Sequence, residues 1–269
     1  MKKSELGLRL SVAAIGVPLL LFITWLGGPY LAVSIGFIAI VMMWEYFRLV
    51  KVYGFEPLRI PAVILGMGII FLWSIGGKFL GISLAMSFVL IASLGIILHR
   101  SHRDVIATVG GILYIPLLMG TFIMVRNNSF ITNEEGRWLA WCIWGAIWIG
   151  DTAAYGFGKN FGKHKLAVKI SPKKTIEGFV AGIFGALIFT VIWWLIGKVS
   201  LEHAIVVGII AGTFGQLGDL IESQFKREVG VKDVGNYLPG HGGFLDRFDS
   251  LLTTAPVVLF YLYLKDLFV

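Results

Sequence analysis

The stretch from Ser223 to Asp249 reads SQFKREVGVKDVGNYLPGHGGFLDRFD. It gathers Lys226, Arg227, Lys232, Asp233, His241, Asp246, Arg247 and Asp249 between two long apolar runs. The chain around it is too apolar for these charges to be an ordinary solvated face. Such a composition suits holding a metal ion and a polyphosphate at a membrane surface.

Composition sets the class. Of 269 residues, 57% are hydrophobic and 14% charged, and the mean hydropathy is +0.83. A soluble domain carries about a quarter charged residues. Repeated apolar runs of about twenty residues mean several membrane-spanning helices. Within a bilayer every backbone polar group must be paired internally, so helices are expected. The runs are continuous rather than alternating, which argues against an outer-membrane barrel. Cys142, the single cysteine, permits no intrachain disulfide and reads as a small apolar helix residue. The net charge of +7 fits cytoplasmic loops facing anionic lipid rather than nucleic acid.

The expected fold is all-α, a polytopic integral membrane helical bundle with about nine transmembrane helices. The spans fall near 10–26, 30–47, 61–77, 80–98, 105–125, 138–157, 176–196, 202–222 and 247–266. The first is expected to be a retained helix, since Gly27-Gly28-Pro29 reads as a turn rather than a signal-peptide cleavage site. With neither internal repeat nor low-complexity linker, residues 1–269 are expected to form one membrane domain. Of the 23 lysines and arginines, eighteen fall on the side of the amino terminus, among them the six lysines between Lys159 and Lys174. Lys78, Arg126, Arg137, Lys198 and Lys265 fall on the other. The positive-inside rule then places the amino terminus and both motif-rich loops in the cytoplasm, with the carboxyl terminus outside.

Acids stand where acids are costly. Asp219 and Glu222 are three residues apart at the end of the eighth span, so they share a helix face. Asp246 and Asp249 open the ninth with the same spacing. Asp151 lies late in the sixth span and Glu177 starts the seventh. A charged aspartate at the centre of a spanning helix costs about 2.5–3.5 kcal/mol, so such groups face a partner or a watery cavity. Carboxylate oxygens with water and phosphate suit Mg²⁺, and no Cys/His cluster offers a zinc site. The metal candidates are Asp219, Asp246, Asp249 and Glu222, with Asp151 either a ligand or substrate contact or a buried hydrogen-bonded acid. Ion pairing with Arg247, Lys226 or Arg227 is the alternative.

Two basic loops supply a phosphate cradle. Ser171-Pro172-Lys173-Lys174-Thr175-Ile176-Glu177-Gly178 precedes the seventh span, with Ser171 expected to cap the helix and Pro172 to fit its first turn. A helix amino terminus attracts phosphate, and Lys173 and Lys174 add charge beside it. In the later loop, Gly240, Gly242 and Gly243 let backbone approach a ligand closely. Arg227 and Arg247 are suited to grip phosphate oxygens in a fork, and His241 to bond a phosphate or carry a proton. This glycine-rich segment lacks the Gly-Lys-Ser/Thr ending of a Walker loop.

On these residues the chain resembles the phosphatidate cytidylyltransferase (CDP-diacylglycerol synthase) family of integral membrane enzymes. The family signature of Ser, Lys-Arg, Lys-Asp, Leu-Pro, His-Gly-Gly and Asp-Arg-hydrophobic-Asp appears here in full from Ser223 to Asp249. Gly150-Asp151-Thr152-Ala153-Ala154-Tyr155 and the Ser171–Gly178 segment agree with it, although Ile176 stands where members often carry an aromatic residue. The resemblance covers residues 148–250, and no earlier residue inherits a role. It implies CTP and phosphatidic acid as substrates, CDP-diacylglycerol and pyrophosphate as products, and membrane lipid rather than nucleic acid as surroundings. It implies Asp219, Asp246, Asp249, Lys226, Arg227 and His241 as the catalytic set. Ser171, Lys173, Lys174, Ser223, Lys232, Arg247, Gly242, Gly243 and Asp151 would bind substrate, Ser223 as a hydrogen-bond donor rather than a nucleophile. Mg²⁺ would sit on Asp219 and Asp246, with a second cation on Asp249. The expected setting is the cytoplasmic (inner) membrane, and the expected assembly a homodimer.

Three rivals differ in pattern. A cation-coupled transporter predicts internal repeats and acids at the bilayer midplane, whereas these acids cluster at span ends. A CDP-alcohol phosphotransferase needs an Asp-Gly, Ala-Arg and Gly-Asp-Asp pattern absent here. A structural scaffold has no use for the charged loop.

Overall fold

The computed structural model describes residues 3–127, 131–231 and 242–268, with the side chains of the first helix described from Ser11 onward. Helices dominate. They are α1 (Lys3–Leu26), α2 (Gly28–Val52), α3 (Arg59–Ser74), α4 (Leu80–Ile97), α5 (His102–Ile112), α6 (Leu118–Asn127), α7 (Asn133–Phe161), α8 (Ile176–Leu195), α9 (Leu201–Ile210), α10 (Gln216–Glu228) and α11 (Leu245–Phe268). A π-helical turn, Leu113–Leu117, joins α5 to α6, and another, Ala211–Gly215, joins α9 to α10. Among the described residues the strands are β1 (Lys165–Ala167) and β2 (Ser171–Thr175), an antiparallel pair.

Every expected span falls on helix. Among the described residues six segments are long and apolar enough to cross a bilayer: Gly28–Val52, Leu80–Ile97, His102–Asn127, Ile176–Leu195, Leu201–Glu228 and Leu245–Phe268. The described part of α1 and the whole of α3 are shorter apolar helices, and the 29-residue α7 is not among the six. The all-α membrane class therefore stands, with six such segments and two shorter apolar helices among the described residues.

The chain divides into two compact units. The first holds residues 1–124 and 228–247. Here α2 and α3 pack closely at Gly66, where an added Cβ would lie 3.0 Å from Pro116 and 3.1 Å from the Met43 sulfur. Pro116 has no N–H for a helical hydrogen bond, and the π turn containing it absorbs the misfit. Trp73 lies flat on Gly120, and its Nε1 donates to the Leu117 carbonyl at 3.0 Å. The link from α2 to α3 is sewn to α5: the Glu56 N–H donates to Asp104 at 2.6 Å and the Leu58 N–H to Thr108 Oγ1 at 2.9 Å.

The second unit holds residues 125–227 and 248–269. Its α7 and α8 touch backbone to backbone through small residues, as helices in lipid do. A Cβ on Gly150 would lie 3.2 Å from the Gly182 carbonyl oxygen, and one on Gly178 would lie 2.7 Å from that of Ala154. Trp144 stacks on Trp148 and meets Phe248 of α11 edge-on.

One local expectation fails. Ser171 does not cap a helix; it opens β2, and Thr175 caps α8, its hydroxyl accepting from the Gly178 N–H at 3.1 Å. The reason is pairing. Lys165 lies opposite Thr175 and Ala167 opposite Ser171, so ladder bonds hold Pro172–Lys174 extended.

Candidate functional site

The second unit brings the two motif loops' residues together. Successive side chains on a strand point to opposite faces, which separates Lys173 from Lys174. Lys173 is exposed. Lys174 turns inward, where its Nζ lies 2.8 Å from an Asp219 oxygen and donates to the Gln216 carbonyl at 3.2 Å. Gln216 in turn donates to the carbonyls of Phe179 at 2.9 Å and Gly212 at 2.6 Å. The π turn before α10 thus leaves a carbonyl for a side chain to take up, and the first turn of α10 is anchored to α8.

On α10 the acids and cations alternate by helical turns. Ser223, one turn after Asp219, donates its hydroxyl to that carboxylate at 3.2 Å. Glu222 is fully buried and lies 2.5 Å from the Lys226 ammonium, itself 9% exposed. A buried charge needs such a partner. Arg227 is exposed, and its Nε donates to the Ile170 carbonyl between the two strands at 3.3 Å.

Helix α11 supplies the last acid of this unit. Asp249 is buried and accepts from the Ser250 N–H at 2.6 Å. It reaches α10 because residue 218 is glycine: a Cβ there would lie 2.3 Å from the Asp249 carbonyl oxygen. The outcome is a group of three carboxylates, Asp219, Glu222 and Asp249, each with an oxygen within 4.8 Å of the others. These three acids could hold a metal ion, and hard carboxylate oxygens are the donors that Mg²⁺ takes. Glu222 takes Lys226, one of the expected ion-pair partners, whereas Asp219 takes Lys174, which is not among them.

The first unit holds Gly242, Gly243, Asp246 and Arg247. Gly242 has φ +81°, in the left-handed region that favours glycine, and a Cβ on it would lie 3.4 Å from an Asp246 oxygen. A Cβ on Gly243 would lie 2.8 Å from both oxygens of Glu45. Asp246 is half-buried and Arg247 exposed. Asp151 is exposed on α7. Lys232 and His241 lie outside the described residues.

Residues 7–265 match the cytidylyltransferase family. The chain belongs to that family. Among its relatives, a phosphatidate cytidylyltransferase of Staphylococcus saprophyticus is 37% identical over 212 residues, 75% of this chain and 78% of that one. One of Bacillus subtilis is 42% identical over 154 residues, 56% of each chain. One of Staphylococcus aureus strain COL is 48% identical over 129 residues, 47% of this chain and 50% of the relative. The chain thus spans more than two thirds of the first relative and about half of the other two.

Within this member of the cytidylyltransferase family, Gln216, Gly218 and Glu45 carry geometry that the motifs do not announce, and Glu177 carries contacts that its motif does not foretell. Gln216 and Gly218 flank the first acid. Glu177, in the first turn of α8, accepts from the Lys163 and His164 N–H groups and lies 2.6 Å from His164 Nδ1, closing the hairpin against its helix. Glu45 sits in a span with no motif at all. Its one sequence signal is an acid inside an apolar run, which marks a partner without naming it.

Proposed function

We propose that the chain transfers the cytidylyl group from CTP to phosphatidic acid, releasing pyrophosphate and leaving CDP-diacylglycerol in the membrane. The observation that carries this reading is the pairing of Lys174 with Asp219, itself grouped with the Glu222 and Asp249 carboxylates, in a chain matched to the cytidylyltransferase family nearly end to end.

A phosphate oxygen of phosphatidic acid attacks the α-phosphorus of CTP. The bond from that phosphorus to the bridging oxygen of the β-phosphate breaks, and pyrophosphate carries away the electron pair. The nucleophile is already an anion at neutral pH, so no strong base is required. Two anions must meet, so positioning and charge neutralisation do most of the work. Asp219 and Asp249, with Glu222 beside them and Asp246 from the start of α11, are the residues to hold Mg²⁺, with a second cation on Asp249. Bound there, Mg²⁺ supplies positive charge to the phosphate oxygens. Lys174, 2.8 Å from an Asp219 oxygen, takes a phosphate oxygen of CTP. Lys226 pairs with buried Glu222. Ser223 orients Asp219 and is suited to donate to a substrate oxygen. Lys173, Arg227, Arg247 and Lys232 share the remaining phosphate charge, and Ser171, Gly242, Gly243 and Asp151 line the approach. His241 bonds a phosphate or carries a proton.

In this reading residues 1–269 work as one domain, a homodimer in the cytoplasmic membrane, with the amino terminus and the site facing the cytoplasm. The test is direct. Purified protein with phosphatidic acid, labelled CTP and Mg²⁺ should yield a lipid-soluble cytidine product. Movement of solute into sealed vesicles without CTP, and no such product, would instead establish a carrier.

A further inference from the structure

Glu45 lies in α2, within a segment apolar enough to span a bilayer, and is fully buried among Met42, Met43, Phe47 and Leu49. An acid there must be matched by donors. Its donors come from the far end of the chain. Oε1 accepts from the Phe244 N–H at 3.0 Å and Oε2 from the Leu245 N–H at 2.7 Å. These are orphan donors of the helix start, which turns of the helix itself cannot satisfy. A carboxylate also suits the positive end of the helix dipole. Gly243 is bare where the carboxylate passes, since a Cβ would lie 2.8 Å from each oxygen. Asp246 follows Leu245 directly, so whatever sets the first turn of α11 sets the direction of Asp246.

We propose that Glu45 is a positioning residue for the reaction: its buried carboxylate clamps the start of α11 by two backbone hydrogen bonds and thereby aims Asp246 at its work. The inference rests on the cytidylyl-transfer reading for its kinetic part alone. Glu45 touches neither substrate, so its loss leaves binding largely intact and slows the chemical step.

Full-length parent, Glu45→Gln, Glu45→Ala, Gly243→Ala and the Glu45→Ala/Gly243→Ala double variant should be compared in detergent with phosphatidic acid and labelled CTP. Glu45→Gln should lower kcat about tenfold or more while KM for CTP stays within about threefold, the mark of an interaction felt in the transition state. A role in folding alone would reduce the active fraction and leave kcat per folded molecule unchanged. Gly243→Ala should slow the parent in the same way, yet add less than about twofold to Glu45→Ala, because the methyl then enters space the carboxylate has left. Amide exchange at Phe244 and Leu245 should accelerate in Glu45→Gln. A kcat within about twofold of the parent, or losses that multiply in the double variant, would overturn the proposal. If the parent itself makes no cytidine lipid, the functional reading fails and exchange alone decides: unchanged exchange at the two amides removes the clamp as well. Should Glu45→Gln not fold, Gly243→Ala carries the same kinetic split and the same exchange reading.

Discussion

Lys173 and Lys174 are neighbours with different surroundings, because one step along a strand turns a side chain to the other face. Lys174→Ala removes the 2.8 Å partner of Asp219 and should lower kcat for CTP-dependent turnover by about a hundredfold, the scale of losing one group aimed at developing charge. Lys173→Ala removes an exposed charge and should raise the apparent KM for CTP or lipid while sparing most of kcat. Equal effects of the two would mean that strand β2 does not sort them. Asp219→Asn keeps the shape of the side chain, the Ser223 contact included, but discards its charge. It should abolish turnover in protein that remains folded in detergent, and near-normal activity would remove Asp219 from the mechanism. The sequence put lysines, serine and acids in one list of candidates. It did not say which lysine met which acid, since strand pairing across Lys165–Thr175 settles that and leaves no mark on the Lys-Lys pair itself.

Helix α10 carries Asp219 and Glu222, two of the three grouped acids. Gly218 lets it approach α11, with the Asp249 carbonyl where a Cβ would go. Gly218→Ala should push the helices apart, lowering stability by about 1–3 kcal/mol, as overpacking does. Thermal unfolding in detergent reads the loss, and activity should fall further than stability, because Asp219 and Asp249 move relative to each other. An unchanged melting temperature would mean that the two helices separate freely there. In the same unit, Thr175 caps α8 where β2 ends. Thr175→Ala should lower stability by about 1 kcal/mol, the usual worth of a lost cap, and a parent-like melting curve would argue that the hairpin alone holds the helix start. Helix α8 was legible to within a residue, since its apolar run begins at Ile176. The strand before it was not, because Ser171-Pro172 also reads as a helix start and the partner strand is too short to show a pattern.

The whole molecule is a multi-pass membrane protein whose described cations sort by position along the chain. Lysine-rich Lys159–Lys174 adjoins the acidic site, whereas Lys198 packs on the Trp138 ring, 4.0 Å from its centroid, in a cluster of Trp138, Trp141 and Trp193. Tryptophans and a lysine together suit a bilayer interface. With Cys142 replaced by alanine, a reporter at Lys163→Cys should react with an impermeant thiol reagent from the cytoplasmic side, and one at Lys198→Cys from the opposite side. The reverse labelling would invert the proposed orientation. Chelation of divalent cations should stop turnover and added Mg²⁺ restore it; full activity in excess chelator would leave the carboxylate group as a structural device.

Hydropathy and local spacing are properties of neighbouring residues, so the sequence by itself determined the helical membrane class and the charged Ser223–Asp249 stretch. Which groups face each other is decided between segments far apart in the chain. The Glu45 carboxylate meets amides two hundred residues away, Lys174 meets Asp219, and Gly218 admits Asp249. Only the packed helices bring those atoms within hydrogen-bonding range, because a buried charge or backbone donor can be satisfied just where the tertiary structure places its partner.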